Sequence, residues 1–359
     1  MGKPRIIGVH DGPMHSDEVF AVAALSMIMD VDIVRTRDPE ILKTCDMRVD
    51  VGDNYNHQTK DYDHHMQWFN VRHQRPFKKY VDGKPKEFPD GPLRSGFGLI
   101  WLHYGKDIIM KILTEVYTPE QYCTFEESDF FDLFDAVDNG IVAYIDACDN
   151  GEQKKFLLNV SPFRNSDITK IVAIFNPTIQ EQRCWTDANT SEANYHGQFM
   201  AAMNIARLLL RREIVSQSEL LYFRRPFMKL IANMGQNEQI LVLDQYIPWS
   251  YAYGRAGSAT NGVEMIVYPA SNGNWMCQTP YYYFRRDSQT YPAVMKDGSQ
   301  RQYKHQAPVE ICGLRDQALC DATGIADLNF VHKGGHLGAA KTKEAAIALA
   351  QYFIDHSRQ

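Results

Sequence analysis

Long apolar runs and paired cysteines are both missing from this 359-residue chain. No run of 18 uninterrupted apolar residues occurs, so we expect no transmembrane helix and no membrane partner. The seven cysteines are odd in number and none are spaced as Cys-x-x-Cys, which argues against a disulfide scaffold and a cysteine-rich zinc site. The amino-terminal segment lacks the apolar core of a signal peptide. We therefore expect an intracellular, by default cytoplasmic, protein.

Several common catalytic motifs are absent as well. The sequence contains no Walker loop, no Gly-x-Gly-x-x-Gly, no Gly-x-Ser-x-Gly elbow and no His-Glu-x-x-His. These absences argue against a P-loop enzyme, a dinucleotide-binding enzyme, a serine hydrolase of the elbow type and a zinc peptidase of the thermolysin type. The chemistry has to come from other residues.

Basic residues are missing between Ile112 and Gln153, where 11 acidic residues occur. Because the whole chain carries a net charge of only −6, the remainder is net positive and a polyanionic substrate is not excluded. Two stretches, Val71–Asp90 and Tyr281–His305, combine Lys and Arg with aromatic residues. Cations along phosphates and aromatic rings under bases are how single-stranded nucleic acids are bound. The alternatives are a solvated loop for the first stretch and a strand-rich edge of the core for the second.

The order of the predicted elements indicates an α/β fold. In chain order the patterns predict a strand at 4–9, a helix at 17–29, a strand at 31–36, a short helix from 38 and a strand at 46–52. Such alternation predicts a parallel sheet with helices on both faces. Ligands of such sheets bind beyond the carboxyl ends of the strands. We therefore expect His10 and Asp50, which end the first and third strands, at the same edge.

The rest of the chain predicts a second, smaller α+β domain. The first domain is expected to continue with loops at 71–93 and 176–182 and helices at 94–116 and 126–147. A long helix at about 191–216 is expected to connect the two domains. After this helix we expect strands at 238–245, 262–269, 274–281 and 328–332, and helices at 314–322 and 342–357. We therefore divide the chain into domains at 1–190 and 191–359.

Candidate metal ligands lie in the first domain. The segment HDGPMHSDE, residues 10–18, places His10, His15 and Asp17 between a strand and a helix, although a polar helix amino terminus would look the same. Asp50 ends an apolar strand, where a strand-end turn is the alternative.

Two further motifs complete the candidate set. A motif such as Asp63-His64-His65 seldom serves only to pack a protein core, because both adjacent imidazoles would need hydrogen-bond partners there. Asp132, Asp135 and Asp138 recur every three residues on a predicted helix, where a solvated acidic face is the alternative. All these ligands are His nitrogens and carboxylate oxygens, which suit Mn²⁺, with Mg²⁺, Co²⁺ or Zn²⁺ as alternatives. Two cations about 3.5–4 Å apart that share a carboxylate are typical of phosphoester hydrolysis.

The same motifs resemble the DHH phosphoesterase superfamily and, within it, the MYG exonuclease family (melanocyte proliferating gene product). The matching segments run in order from residue 6 to about residue 340: IIGVHDGPMHSDE, IVRTRDPEIL, VDVGDNY, YDHHMQWF, SGFGLIWLHYG, FDAVDNGI, GLRDQAL and FVHKGG. The resemblance implies a DHH-type catalytic domain that binds two metal ions, followed by a substrate-binding domain.

The resemblance also implies a role for individual residues. It implies as metal ligands His10, His15, Asp17, Asp50, His64 and Asp138. Asp50 would bridge both ions, and Asp11 is the alternative to His15. The catalytic motif is Asp63, His64 and His65, with His65 on the phosphate. Implied substrate-binding residues are Gly334, Gly335, His336 and Arg315, for which a Gly-rich turn and a surface salt bridge are the alternatives.

The implied activity is that of a metal-dependent phosphodiesterase. It would be a 3′–5′ exonuclease that cuts single-stranded RNA or short oligonucleotides with a hydroxide activated by two metal ions. One alternative is a small-molecule phosphohydrolase that acts on pyrophosphate, a short oligonucleotide or a nucleotide. Another is a nucleic-acid-binding protein whose metal site is inactive.

Overall fold

The structure is a computed structural model. It describes residues 3–74, 77–81, 84–88, 90–156, 167–184, 188–235, 237–256, 262–280 and 303–357. Most of the basic and aromatic stretch at 281–305 lies outside these ranges. The chain divides into two compact units, residues 1–218 and 219–359. The division falls within the long helix that the sequence predicts, which runs from Ala188 to Tyr222.

The first unit begins with alternating strands and helices and continues with helices. Its strands are β1 (Arg5–Val9), β2 (Val31–Arg35), β3 (Met47–Val49), β4 (Tyr55–Asn56), β5 (Asp61–Tyr62), β6 (Phe77–Val81) and β7 (Lys84–Phe88). Its helices are α1 (Ser16–Leu25), α2 (Pro39–Leu42), α3 (Gly96–Val116), α4 (Pro119–Tyr122), α5 (Glu127–Val137), α6 (Ala143–Asp149), α7 (Gln153–Phe156), α8 (Ile168–Ala173), α9 (Ile179–Arg183) and α10 (Ala188–Tyr222). A single π-helical turn, Asp138–Val142, joins α5 to α6.

The sheet of this unit has the strand order β2-β1-β3-β5-β4. Strand β1 is parallel to β2 and β3, and β3 is parallel to β5, whereas β4 runs antiparallel to β5. Helix α1 is buried along its whole length and packs against α3. The predicted α/β class with a parallel amino-terminal sheet is confirmed. As a result, β1, β3 and β5 end at one edge of the sheet.

Two predicted loops contain regular structure. The hairpin β6–β7 lies within the loop predicted at 71–93, and α9 overlaps the loop predicted at 176–182, so both predictions were wrong. Helix α9 begins with a capping box, in which the Glu181 N–H donates to Thr178 Oγ1 and the Thr178 N–H donates to the Glu181 carboxylate. Thr-x-x-Glu is the sequence signature of such a start. It was present in the sequence and outweighs the loop-like composition.

The second unit is a mixed sheet covered by helices. Its strands are β8 (Ile240–Val242), β9 (Met265–Pro269), β10 (Trp275–Gln278), β11 (Leu328–Val331) and β12 (Leu337–Ala340), in the order β11-β12-β10-β9-β8. Its helices are α11 (Arg224–Ala232), α12 (Trp249–Ala256), α13 (Asp316–Thr323) and α14 (Lys343–Asp355). Strand β8 is parallel to β9 and the other pairs are antiparallel. The predicted α+β class is confirmed. None of the helices in the described ranges is both long and apolar enough to cross a membrane.

The amino terminus of α3 is held by two buried carboxylates. Its cap residue, Ser95, makes no capping bond with its own side chain. Instead, the Gly96 N–H donates to Asp17 Oδ2 at 3.1 Å, and the Gly98 N–H donates to Asp146 Oδ1 at 3.1 Å. The free N–H groups of a helix start favour negative charge. A Cβ at position 98 would overlap the Asp146 carboxylate, so this close approach requires glycine.

Asp146 also belongs to a buried charge network around His73. The His73 ring is 3.0 Å from Asp138 Oδ2 through Nδ1 and 2.7 Å from Asp146 Oδ2 through Nε2. Arg94 donates to Asp138 Oδ1 at 2.8 Å. Burial lowers the pKa of His73, but the two carboxylates outweigh burial and raise it above its usual range. The network ties the segment before β6 to α3 and α6.

We expect His73→Gln to lower the free energy of unfolding by about 3–5 kcal/mol at pH 6, because it removes a cation from between two buried carboxylates. The folded-state pKa of His73 is raised, so its stabilisation is complete below the unfolded pKa of about 6.5 and is lost as the pH rises through the folded-state value. Urea unfolding should therefore show a stability difference from wild type that shrinks as the pH is raised above 6. The exposed His356→Gln is the matched control, and a difference independent of pH would contradict the assignment.

Candidate metal centre

Three of the predicted site residues, His10, Asp50 and Asp63, lie where three neighbouring parallel strands end. His10 directly follows β1, Asp50 directly follows β3, and Asp63 directly follows β5. Asp50 has a φ of 55°, a left-handed conformation that is uncommon for residues other than glycine. Its N–H donates to the Tyr62 carbonyl, which holds it beside β5. Backbone strain of this kind persists where the surrounding structure fixes it and clusters at functional sites.

The Asp50 carboxylate lies between two groups of histidines. Its Oδ2 is 3.4 Å from His10 Nε2. Its Oδ1 is 3.2 Å from His64 Nε2 and 3.5 Å from His65 Nδ1. The side chain of Asp50 is only 1% exposed, so these contacts are shielded from water. Each oxygen therefore faces a different group of histidines, as a carboxylate shared by two ions would.

Further carboxylates surround this centre. Glu18 Oε1 is 3.3 Å from His10 Nε2 and accepts a hydrogen bond from the His15 N–H. Asp149 Oδ2 is 3.1 Å from His64 Nε2. Three overlapping sets have ligand atoms within 4.8 Å of one another: His10 with His15, Glu18 and Asp50; Asp50 with His64 and His65; and His15 with Asp17 and Asp149.

Buried polar atoms without partners converge on this centre. Among the described residues, no hydrogen-bond partner exists for His10 Nε2, Asp17 Oδ1, Glu18 Oε2, Asp50 Oδ1 and Oδ2, and His64 Nε2. Unpaired buried groups of this kind are rare in folded proteins because each one is costly. The His10 ring has already used Nδ1 on the Asp11 carbonyl at 2.9 Å, which leaves Nε2 available as a ligand. The residues present therefore fit divalent cations with nitrogen and oxygen ligands.

The carboxylates of the cluster differ in pKa: those of Asp17 and Glu18 are raised, and that of Asp50 is lowered. Burial raises the pKa of Glu18 to about 8 and that of Asp17 well above its usual range. Burial also opposes ionisation of Asp50, but His10 and His64 outweigh it and hold that pKa below its usual range. For the two histidines burial acts downward, yet the carboxylates raise the pKa of His10 to about 9 and that of His64 to about 10. The cluster has an excess of carboxylate charge that it neutralises with protons.

Asp63 holds the histidine pair in position. Its Oδ1 accepts from the His64 N–H at 2.7 Å and lies 2.7 Å from His65 Nδ1, and its Oδ2 accepts from the Asp53 N–H at 2.7 Å. The hydrogen bond that His65 donates to the Asp63 carboxylate raises the pKa of His65. The His65 side chain is 56% exposed and lines a pocket of about 600 Å³ beside the cluster. Asp63 thus orients His65 rather than joining the three sets of ligand atoms.

The structure does not bring Asp138 to this cluster. Its carboxylate is bonded to Arg94 and His73 in the buried network. Asp149, at the end of α6, contacts His64 instead. Both aspartates open an Asp-Asn-Gly triplet, at 138–140 and 149–151, so the pattern alone offered two equivalent candidates. Glu18, which contacts His10 and directly follows Asp17, was not among the predicted ligands.

The predicted substrate-binding residues lie in the second unit. Gly334 and Gly335 form the turn between β11 and β12, and their N–H groups donate to Nδ1 and the carbonyl of His332. The His336 ring stacks on the Tyr303 ring with a centroid distance of 4.8 Å and an interplanar angle of 7°. The Arg315 guanidinium carbon is 5.5 Å from the centroid of the Phe330 ring. Because both glycine N–H groups have partners, His336 and Arg315 are the stronger candidates for anion contacts.

Comparison with known proteins identifies relatives along nearly the whole chain. The model of a family described as MYG1_exonuc, Uncharacterised protein family (UPF0160), matches residues 6–354. The MYG1 exonuclease of Homo sapiens is 29% identical over 365 residues, which cover 98% of this chain and 86% of that protein. The MYG1 exonuclease of Mus musculus is 28% identical, with 98% and 85% covered. The MYG1 protein of Saccharomyces cerevisiae is 28% identical, with 96% and 94% covered.

A solved structure gives a weaker match. The crystal structure of RecJ with Mn²⁺ from Thermus thermophilus is 12% identical, with a TM-score of 0.25. The match covers 98% of this chain and 52% of that chain, so this chain spans about half the length of RecJ. The family expected from the sequence motifs is confirmed by the family match over residues 6–354: the chain belongs to the MYG1_exonuc family (UPF0160).

Proposed function

We propose that this protein is a divalent-metal-dependent phosphodiesterase and that it acts as a 3′–5′ exonuclease on single-stranded RNA. The observation that carries the proposal is the convergence around Asp50 of buried His nitrogens and carboxylate oxygens that have no hydrogen-bond partner among the described residues. The mammalian relatives carry the name exonuclease, which supports the same class of reaction.

We assign two ions, with Mn²⁺ as the proposed metal, to the two sides of Asp50. Candidate ligands on the His10 side are His10, His15, Glu18 and Asp50, and those on the His64 side are Asp50, His64, Asp149 and Asp17. When bound, such cations act as Lewis acids that activate water and neutralise charge on a phosphate.

The chain's own residues supply binding and orientation. Asp63 fixes His65, and the raised pKa of His65 favours an imidazolium that can donate to a phosphate oxygen in the pocket. Asp17 is fixed through its bond to the start of α3, so its second oxygen keeps one orientation. In the second unit, we propose that His336 and Arg315 bind the substrate, with Gly334 and Gly335 shaping the turn that carries His336.

The first experiment is digestion of a 5′-labelled single-stranded RNA with Mn²⁺, beside a DNA of the same sequence. We expect a ladder of progressively shorter labelled products from RNA, because removal from the 3′ end leaves the label on the remaining strand. Both EDTA and Asp50→Asn should abolish it, because EDTA removes the cations and the substitution removes the carboxylate charge between His10 and His64. Immediate release of a labelled mononucleotide would instead indicate the opposite direction.

Other outcomes of this assay favour the alternatives. An intact RNA, together with phosphate released from pyrophosphate or a dinucleotide, would replace the proposal with a small-molecule phosphohydrolase. RNA that binds without turnover at saturating Mn²⁺ would indicate an inactive metal site. A DNA cut as fast as the RNA would remove the proposed preference for RNA.

A second experiment separates the two Asp-Asn-Gly aspartates. We expect Asp149→Asn to weaken Mn²⁺ binding by at least about tenfold, because it removes a carboxylate that contacts His64. The matched variant Asp138→Asn should keep its Mn²⁺ affinity and lower the thermal midpoint, because Asp138 neutralises buried Arg94 and His73. Mn²⁺ titration followed by electron paramagnetic resonance and a thermal melt measure the two effects. The reverse pattern would return the ligand role to Asp138.

A further inference from the structure

An arginine outside the ligand set lies at the same sheet edge as the metal centre. Arg37 follows β2, which neighbours β1 and runs parallel to it, so it shares the edge at which His10 and Asp50 lie. It lines the pocket that also contains His10, Asp50 and His65. Among the described residues that line this pocket, Arg37 alone carries a permanent positive charge, since the other charged ones are His and Asp.

Arg37 is held next to a metal ligand through one carbonyl oxygen. Its Nη1 donates to the Asp11 carbonyl at 2.6 Å, and the same oxygen lies 2.9 Å from His10 Nδ1. Arg37 also forms an ion pair with the Asp11 carboxylate. The guanidinium is therefore linked to His10 through a single shared acceptor, the Asp11 carbonyl.

Most of the binding capacity of Arg37 remains available. A guanidinium has five N–H donors, and the contacts to Asp11 use only Nη1. Its Nε and Nη2 have no hydrogen-bond partner among the described residues. The side chains of Arg37 and Asp11 are 59% and 57% exposed, and an exposed ion pair contributes little to stability.

A neighbouring arginine, Arg35, already supports the loop between β1 and α1. Arg35 is buried, donates to the Gly12 carbonyl and lies 5.5 and 5.3 Å from the ring centroids of Tyr195 and Phe199. Arg35 therefore already holds the loop between β1 and α1. Arg37 is exposed, has donors to spare and lines the pocket, so holding this loop does not account for it.

We propose that Arg37 is a phosphate-binding residue of this pocket, and that Asp11 occupies its guanidinium until a substrate phosphate replaces it. The proposal rests on the proposed function in that the pocket receives a phosphate group. A planar guanidinium can bind two phosphate oxygens at once, whereas its ion pair with Asp11 uses only Nη1 and, being exposed, contributes little to stability. Exchange of the Asp11 carboxylate for phosphate therefore costs little, and it leaves the positive charge of Arg37 in contact with a phosphate in the pocket.

The test uses inorganic phosphate as the probe and the Mn²⁺-loaded full chain, with binding measured by calorimetry. We expect Arg37→Ala to weaken phosphate binding by about tenfold or more, because a charge-assisted pair is lost. Arg37→Lys should be intermediate, since it keeps the charge without the fork of donors. Asp11→Asn should strengthen phosphate binding severalfold, because it removes the competing carboxylate.

A second readout separates this role from loop support. The Mn²⁺ affinity, followed by electron paramagnetic resonance, should stay within about twofold of wild type in Arg37→Ala and Asp11→Asn. If the pair only held the loop that carries His10, both variants would weaken Mn²⁺ and phosphate binding in the same direction, and the proposal would be overturned. Unchanged phosphate affinity in Arg37→Ala, or a wild type that binds no phosphate, would overturn it as well.

The same proteins distinguish this inference from the proposed function. Digestion of the labelled RNA is measured in parallel with phosphate binding. A wild type that cuts no RNA but binds phosphate through Arg37 would reject the nuclease and keep the Arg37 site. A wild type that cuts RNA while Arg37→Ala binds phosphate normally would keep the nuclease and reject the Arg37 site.

Discussion

The start of helix α3 is bound by two buried carboxylates, and the geometry of the metal centre depends on this binding. Asp17 gives one oxygen to the Gly96 N–H, and its other oxygen has no partner among the described residues. Asp146 binds the Gly98 N–H and the His73 ring. Through these bonds a candidate ligand, Asp17, is oriented by a helix rather than by a loop, and sites built on rigid elements hold their ligands more accurately. The glycines at the start of α3 are what allow both carboxylates to approach.

The parallel order of the strands explains why the sequence predicted much of this site. Residues that follow the carboxyl ends of adjacent parallel strands meet at one edge, so His10 and Asp50 could be grouped from local patterns alone. His64 was added through the Asp-His-His motif, because the two-residue strand β5 before it is too short to be predicted from a pattern. The choice between Asp138 and Asp149 could not be made this way. The helix that carries both contains a π-helical turn, and its effect on which residue faces the sheet is not encoded in the spacing of aspartates. Asp138 instead belongs to the buried charge network of His73.

The cluster around Asp50 has more carboxylates than positively charged side chains, and Asp63 holds its two neighbouring histidines in place. Raised pKa values near 8 for Glu18, 9 for His10 and 10 for His64 mean that protons neutralise the carboxylates at neutral pH. Cations and protons therefore compete for the same positions, which is general for metal sites built from titratable ligands. Asp63 has no such competition, because both of its oxygens are already bonded to the backbone and to His65. The motif Asp-His-His thus joins a positioning residue, Asp63, with two histidines whose rings face Asp50.

The left-handed backbone of Asp50 limits how this position can change without loss of the fold. Asparagine and glycine tolerate a φ of 55°, whereas alanine and β-branched residues are strained there. Asparagine keeps the shape of the side chain but carries no charge to share between two cations. A descendant of this protein that had lost its chemistry while it kept its architecture would therefore be expected to carry Asn or Gly at position 50. The residue at position 50, directly after β3, would then distinguish a homologue that keeps the metal-binding carboxylate from one that keeps only the fold.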